Sequence, residues 1–213
     1  MMNDDVRNWI SLSSKEFMLL LAVSGVRKWY GLGDDLESVD GTSERNVTLI
    51  LASLYTDGVI SIKDPVDETD TGIYLNRPYA EAAGIIRDAA HIISAVSGDG
   101  QRYISYISAD GAVMSKPDDM DPDVIHLLLM EKKEFTPFLL KECLSEATMD
   151  GEILKVKRID PATGMATDTL IVSEHGLERT AVLEHTASSG TNESENVSAR
   201  TSSLRNIIDS WLG

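Results

Sequence analysis

Apolar and polar positions change their period several times along the chain, and each change marks an element. Ser13 and Glu16 have the spacing of a capping box, with Ser13 as N-cap. The run Phe17–Val23 behind them is apolar on every face, so its helix is expected to be buried on most sides and to end near Gly25. Trp29, Tyr30 and a Gly/Asp loop at 31–41 follow. A second helix is predicted from Ser43 to Tyr55, with Val47, Ile50, Leu51 and Leu54 on one stripe. Asp57-Gly58 stops it, Gly58 serving as a left-handed C-cap. Val59–Ile62 and Gly72–Leu75 read as strands around the loop Lys63–Asp70. Pro78 then opens a helix predicted to run to about Ser97, with Ala82, Ile85, Ile86, Ala89, Ile92, Ile93 and Val96 facing inward.

The middle of the chain switches to strand patterning. Tyr103–Ile107 and Ala112–Met114 flank the Asp110-Gly111 turn signal. An acidic loop, Pro117–Pro122, leads to Val124–Met130, whose run Leu127-Leu128-Leu129-Met130 predicts burial on both faces. Thr136-Pro137 reads as the N-cap and first turn of a further helix ending near Met149. Three strands of a meander are predicted next: Glu152–Ile159, Met165–Ser173 and Leu177–Leu183, with a Pro/Gly turn at 160–164. Residues 186–201 are mostly Ser, Thr, Gly, Asn and Glu, which predicts a flexible linker. Ser202 caps a last helix carrying Leu204, Ile207, Ile208, Trp211 and Leu212 on one face. Docking of this helix on its own core is favoured over docking on another chain.

Two stretches echo each other. A helix, Asp57-Gly58, a strand and Thr69-Asp70-Thr71 are matched by a helix, Asp150-Gly151, a strand and Thr167-Asp168-Thr169. The expected fold class is therefore α+β: a mainly antiparallel sheet with helices packed on it, in two pseudo-symmetric halves at about 12–100 and 101–185, each with a winged-helix-like helix–Asp-Gly–hairpin unit.

Composition narrows the function classes. The chain has 213 residues and a net charge of −16. Such acidity disfavours nucleic-acid phosphate and anionic membranes as ligands. In a winged-helix reading the second helix offers Glu44, Arg45, Asn46, Thr48 and Ser53, and the wing is acidic, so protein contacts fit better than a DNA groove. The single cysteine, Cys143, forbids an internal disulfide and suits a reducing compartment, and it reads as a small buried hydrophobe. An acidic N-terminus and apolar runs far shorter than a membrane span predict a cytoplasmic protein. His91, placed on the long helix, His126, His175 and His185 lack metal-ligand spacing. Asp118, Asp119, Asp121 and Asp123 lack the glycine and the final glutamate of a calcium loop. No Gly-x-Ser-x-Gly, Cys–His pair or phosphate-cradling loop is present. No catalytic residue, cofactor or metal is expected.

The order of elements carries one resemblance. Leu12, Ser13, Glu16 and Phe17 open the chain. Leu54, Asp57, Gly58, Val59 and Ile60 close the second helix. A Pro-started, Ala-rich helix spans Pro78–Ala95, and the hairpin Tyr103–Met114 follows. This arrangement, from Leu12 to about Leu183, resembles the EspG family of type VII (ESX) secretion-associated chaperones, through order and spacing rather than an invariant motif. The final helix lies outside the resemblance. It implies a non-catalytic cytosolic adaptor that covers the apolar end of a helical-hairpin secretion substrate. Val124, Leu127, Leu129, Pro65, Val66 and Trp211 are the partner-binding candidates. Two alternatives stay open: an acidic winged-helix regulator acting through protein contacts, for which a homodimer through Leu204–Leu212 is expected, and an enzyme with unrecognised chemistry.

Overall fold

The first helix starts where its capping box predicts. The Ser13 hydroxyl accepts from the Glu16 N–H, and the Glu16 carboxylate accepts from the Ser13 N–H at 2.9 Å. A computed structural model describes residues 9–31, 36–38, 44–67, 71–144, 151–186 and 192–213. In chain order, β1 (Ile10–Ser13) leads into α1 (Ser14–Val23). β2 (Lys28–Tyr30) pairs with β3 (Leu36–Ser38); after α2 (Glu44–Thr56), β4 (Ile60–Ile62) pairs with β5 (Ile73–Leu75). Gly58 stops α2 with φ +70, a conformation that costs glycine little. Gly72 holds φ +67 between the two strands, where a Cβ would meet the Lys63 carbonyl at 2.5 Å.

α3 (Tyr79–Arg87) precedes a meander of β6 (His91–Ser97), β7 (Arg102–Ile107), β8 (Ala112–Pro117) and β9 (Val124–Met130), then α4 (Lys132–Leu144). A second meander follows: β10 (Gly151–Ile159), β11 (Ala166–His175), β12 (Glu178–Thr186) and β13 (Asn192–Val197), then α5 (Thr201–Leu212). All these strands but β2–β5 form one nine-stranded antiparallel sheet in the order β1-β9-β8-β7-β6-β10-β11-β12-β13. The fold is α+β, with helices packed on an antiparallel sheet.

Read outward from the central β6–β10 pair, the sheet repeats itself. Each side is a four-stranded meander ending in a helix, and the joint is antiparallel, from Ser97 opposite Leu154 to Ile92 opposite Ile159. A pseudo-two-fold axis normal to the sheet relates the two meanders and keeps each face of the sheet on its own side. The echoed hairpins do not share this arrangement. β10–β11 lies in the large sheet, whereas β4–β5 stands apart as its own two-stranded sheet beside α2.

The helices divide between the two faces. α4 and α5 bury Phe135, Leu139, Leu140, Cys143, Leu204, Ile208 and Trp211 on one face, against Ile93, Met114, Val156, Leu170, Val172 and Leu183. α1 and α3 bury Phe17, Leu20, Leu21, Ala82, Ala83 and Ile86 on the other, against Ile104, Tyr106, Val113, Ile125 and Leu127. The Tyr106 hydroxyl donates to the Tyr30 carbonyl at 2.6 Å and accepts from the Tyr30 N–H at 3.0 Å, tying β7 to β2 inside the core.

The short strands β1, β2 and β3 stand where the sequence predicts no strand, and three larger elements also differ from the sequence expectation. The helix from Pro78 ends at Arg87, and His91–Ser97 is the central strand β6. Its Ile92, Ile93 and Val96 continue a helical period numerically, but β-branched residues also suit a strand paired on both sides. The helix expected from Thr136 already begins at Lys132, so Pro137 sits inside it on the exposed side, and Thr136 is buried rather than a cap. The expected linker at 186–201 contains β13, which joins the β12 edge from Ala181–Val197 to Thr186–Asn192. Main-chain hydrogen bonding to an open sheet edge needs no apolar side chains, so a polar segment can fold there. The expected helix end at 145–149 lies outside the described residues.

Candidate functional site

The two faces of the sheet are not covered alike. On the α1–α3 face, β7, β8 and β9 contribute core residues, whereas β10–β13 contribute only Ile159 and, partly buried, Ala166. The remainder of that half is a mixed surface. Register places Val96, Lys155, Ile171, Val182 and Asn196 in one row across β6, β10, β11, β12 and β13. Beside it run Ser94, Lys157, Thr169, Glu184 and Ser194. Val96, Ile171 and Val182 are half-buried and belong to neither core. Among the described residues, no helix forms a core on this half-face.

The opposite face ends in a polar cleft of about 490 Å³ lined by His91, Arg158, Asp160, Asp168, His185 and Glu193, among others. Asp168 is its centre: His185 Nδ1 lies 2.6 Å from one carboxylate oxygen, and the Arg158 guanidinium 3.6 Å from the other. The Thr167 hydroxyl donates to Asp168 at 2.9 Å, from the irregularity where β10 and β11 slip register. Burial holds the His91 imidazole below its ordinary value, and the charges of Lys132 and Arg158 push the same way. His91 therefore sits in this cleft as a neutral strand residue, not on a helix. Among the described residues, no group of three or more His, Cys, Asp or Glu side chains could hold a metal ion. No described helix is long and apolar enough to cross a membrane.

The sequence candidates separate into exposed and buried sets. Val66 is 84 % exposed beside exposed Pro65, in the β4–β5 loop. Val124 is half-buried opposite Ser13. Leu129 is half-buried against the α1–α3 core, near α3. Leu127 is fully buried within that core and Trp211, on the inner side of α5, is 5 % exposed, so neither can meet a partner without opening the protein. The strand around Val124–Met130 is thus not an open sheet face; the chain's own α1–α3 layer covers it. Sequence reasoning missed Ile171 and Val182, although a signal was there. Each interrupts strict alternation with an apolar residue next to the inward Leu170, Val172, Ala181 and Leu183.

The Asp118–Asp123 loop closes on itself, Asp118 accepting from the N–H groups of Met120 and Asp121, and Asp121 from that of Asp123. Burial pushes the Cys143 thiol up to about 12, with the charges of Glu142 and Asp99 adding to it, so Cys143 is a core side chain and not a nucleophile. Comparison with known proteins leaves the chain to its own geometry: no family model matches it, and no curated protein matches it significantly.

Proposed function

We propose that the protein is a cytoplasmic adaptor whose half-bare sheet receives helices of a partner, as a chaperone for a helical-hairpin substrate of type VII secretion would. The observation that carries this reading is the uneven cover of one sheet face. The pseudo-two-fold axis maps the half covered by α1 and α3 onto the half that carries Ile171 and Val182. The occupied half supplies the template, since an apolar helical stripe fits this pleated surface on one side of the axis and the equivalent place is open on the other. Ile171 and Val182, with Val96 across Lys155 in the same row, supply apolar contact, and Lys155 and Glu184 fix orientation. The net charge of −16 keeps a complex of two such proteins soluble. The exposed Pro65-Val66 tip is a second, smaller contact for the same partner.

The test is a pull-down from native cytosol with the intact chain, beside the doubly charged variant Ile171→Glu/Val182→Glu. A stoichiometric helical protein retained by the first and lost from the second, at unchanged melting temperature, supports the adaptor. Retention of DNA alone, or of a self-dimer alone, overturns it in favour of the winged-helix regulator.

A further inference from the structure

At the other end of the sheet, folding assembles three side chains that the sequence keeps apart. β1 sets Ser11 directly opposite His126 of β9. Ser11 Oγ lies 2.9 Å from His126 Nδ1, and His126 Nε2 lies 2.7 Å from Asp118 Oδ2. The His126 hydrogen bond holds the Asp118 carboxyl at about 2, helped by the N–H groups of Met120 and Asp121. Asp118 is therefore a carboxylate at neutral pH and accepts the Nε2 proton. That tautomer leaves the lone pair of Nδ1 facing the Ser11 hydroxyl, which then donates to it.

The surroundings suit a reacting group. Ser11 is exposed, while the His126 side chain is 19 % exposed. Trp9 meets His126 edge to face at 6.4 Å, and the Lys116 ammonium stands 5.3 Å from the Trp9 ring centre. The Ser14 N–H bonds the Asp123 carbonyl, so the ladder bonds of β1 fall on its even-numbered residues. The Ser11 N–H thus points away from β9, toward the side of β1 on which no described strand pairs. A hydroxyl oriented on a carboxylate-held imidazole, with its own N–H turned away from the β9 ladder, has the parts of an acyl-transfer nucleophile.

We propose that Ser11 is a nucleophile toward small activated acyl esters, with His126 as its base and Asp118 as the positioning residue. In the first step the Ser11 proton passes to His126 Nδ1 as the Oγ–carbon bond forms. The bond from that carbon to the leaving alkoxide then breaks, and the alkoxide takes the proton from His126. Water repeats the sequence on the acyl-serine, releasing the acid and restoring Ser11. This site lies on the α4–α5 face at the β1 edge, so it stands or falls separately from the adaptor surface.

The test is covalent labelling of the intact protein with a fluorophosphonate, in which Oγ displaces fluoride and the proton leaves through His126. The expected result is one adduct, mapped to Ser11 by peptide mass spectrometry and absent from Ser11→Ala. His126→Gln is expected to label about 100-fold more slowly, the share of a general base. Asp118→Asn is expected to slow labelling as well while retaining the native circular dichroism spectrum, which keeps the test decisive even where His126→Gln fails to fold. No adduct at Ser11, or labelling at the same rate in folded Asp118→Asn as in the parent, overturns the proposal and leaves the trio as a fastener for β1.

Discussion

The two meanders share a topology and one helical cover but differ on the second face. In β7–β9 both faces are buried, and Ile104, Tyr106, Val113 and Leu127 on the α1–α3 side are as inaccessible as Tyr103 and Met114 on the other. In β10–β12 only the α4–α5 side is core; the reverse carries Lys155, Lys157, Thr169 and Glu184 around the directly paired Ile171 and Val182. Symmetry of the backbone therefore does not impose symmetry of the layers. Substituting the outward positions of one meander with mixed polar residues lets it stand without a second helical cover.

The largest expected effect bears on the single layer that the second meander does have. Trp211→Ala removes a buried indole that packs α5 on the sheet and should cost about 3–5 kcal/mol. Urea unfolding at several protein concentrations measures it. A loss that disappears on dilution would mean that α5 stabilises a neighbouring chain rather than its own. Next comes a matched pair on the unevenly covered face. Leu127→Ala should cost about 2–5 kcal/mol, because it opens a cavity under α1. Val182→Ala, half-exposed, should cost less than about 1 kcal/mol. Equal losses in the same denaturation series would break the comparison between the halves.

A smaller effect concerns the start of the layer that only the first meander owns. Ser13→Ala should destabilise α1 by about 1 kcal/mol, read as a shift in the urea midpoint. The capping partner adds a pH dependence of definite sign. Burial opposes ionisation of Glu16, but hydrogen bonds from the Ser13 N–H, the Ser53 hydroxyl and the Ser13 hydroxyl outweigh it and lower its pKa below the ordinary 4.5. The stabilisation is therefore complete above about pH 4.5 and is lost as pH falls through the lower folded value. Glu16→Gln should flatten the stability profile in that acid window. The smallest effect is local. Carbon NMR should find Asp118 titrating near 2, and His126→Gln should return it toward 3.8.

How much of this was legible in the sequence depends on what each element is made from. The capping box at Ser13 and Glu16, the Asp110-Gly111 turn and the doubly buried Leu127-Leu128 are local facts, and the structure keeps them. Strand β6 was obscured because Ile92, Ile93 and Val96 satisfy two periods at once, and only pairing with β7 and β10 decides between them. Strand β13 was obscured because its stability comes from main-chain bonds to β12, which composition does not record. The candidate site divides similarly. Val66 is as exposed as its loop sequence implies, whereas Leu127 and Trp211 are apolar for the sake of the core. The open half-face depends on which strands α1 and α3 reach, and the Ser11–His126 contact joins positions 115 apart; no local spacing encodes either.

Cys143 gives the molecule a native clock. Its thiol is 2 % exposed between α4 and the sheet, and its ionisation is pushed up to about 12. The thiolate that reacts with alkylating reagents is scarcely populated while that layer is closed. With the chain's one thiol placed there, the rate of alkylation in native buffer counts the openings of α4 from the sheet. The same rate, followed with and without a bound partner, tells whether occupancy of one face of the sheet is felt on the other.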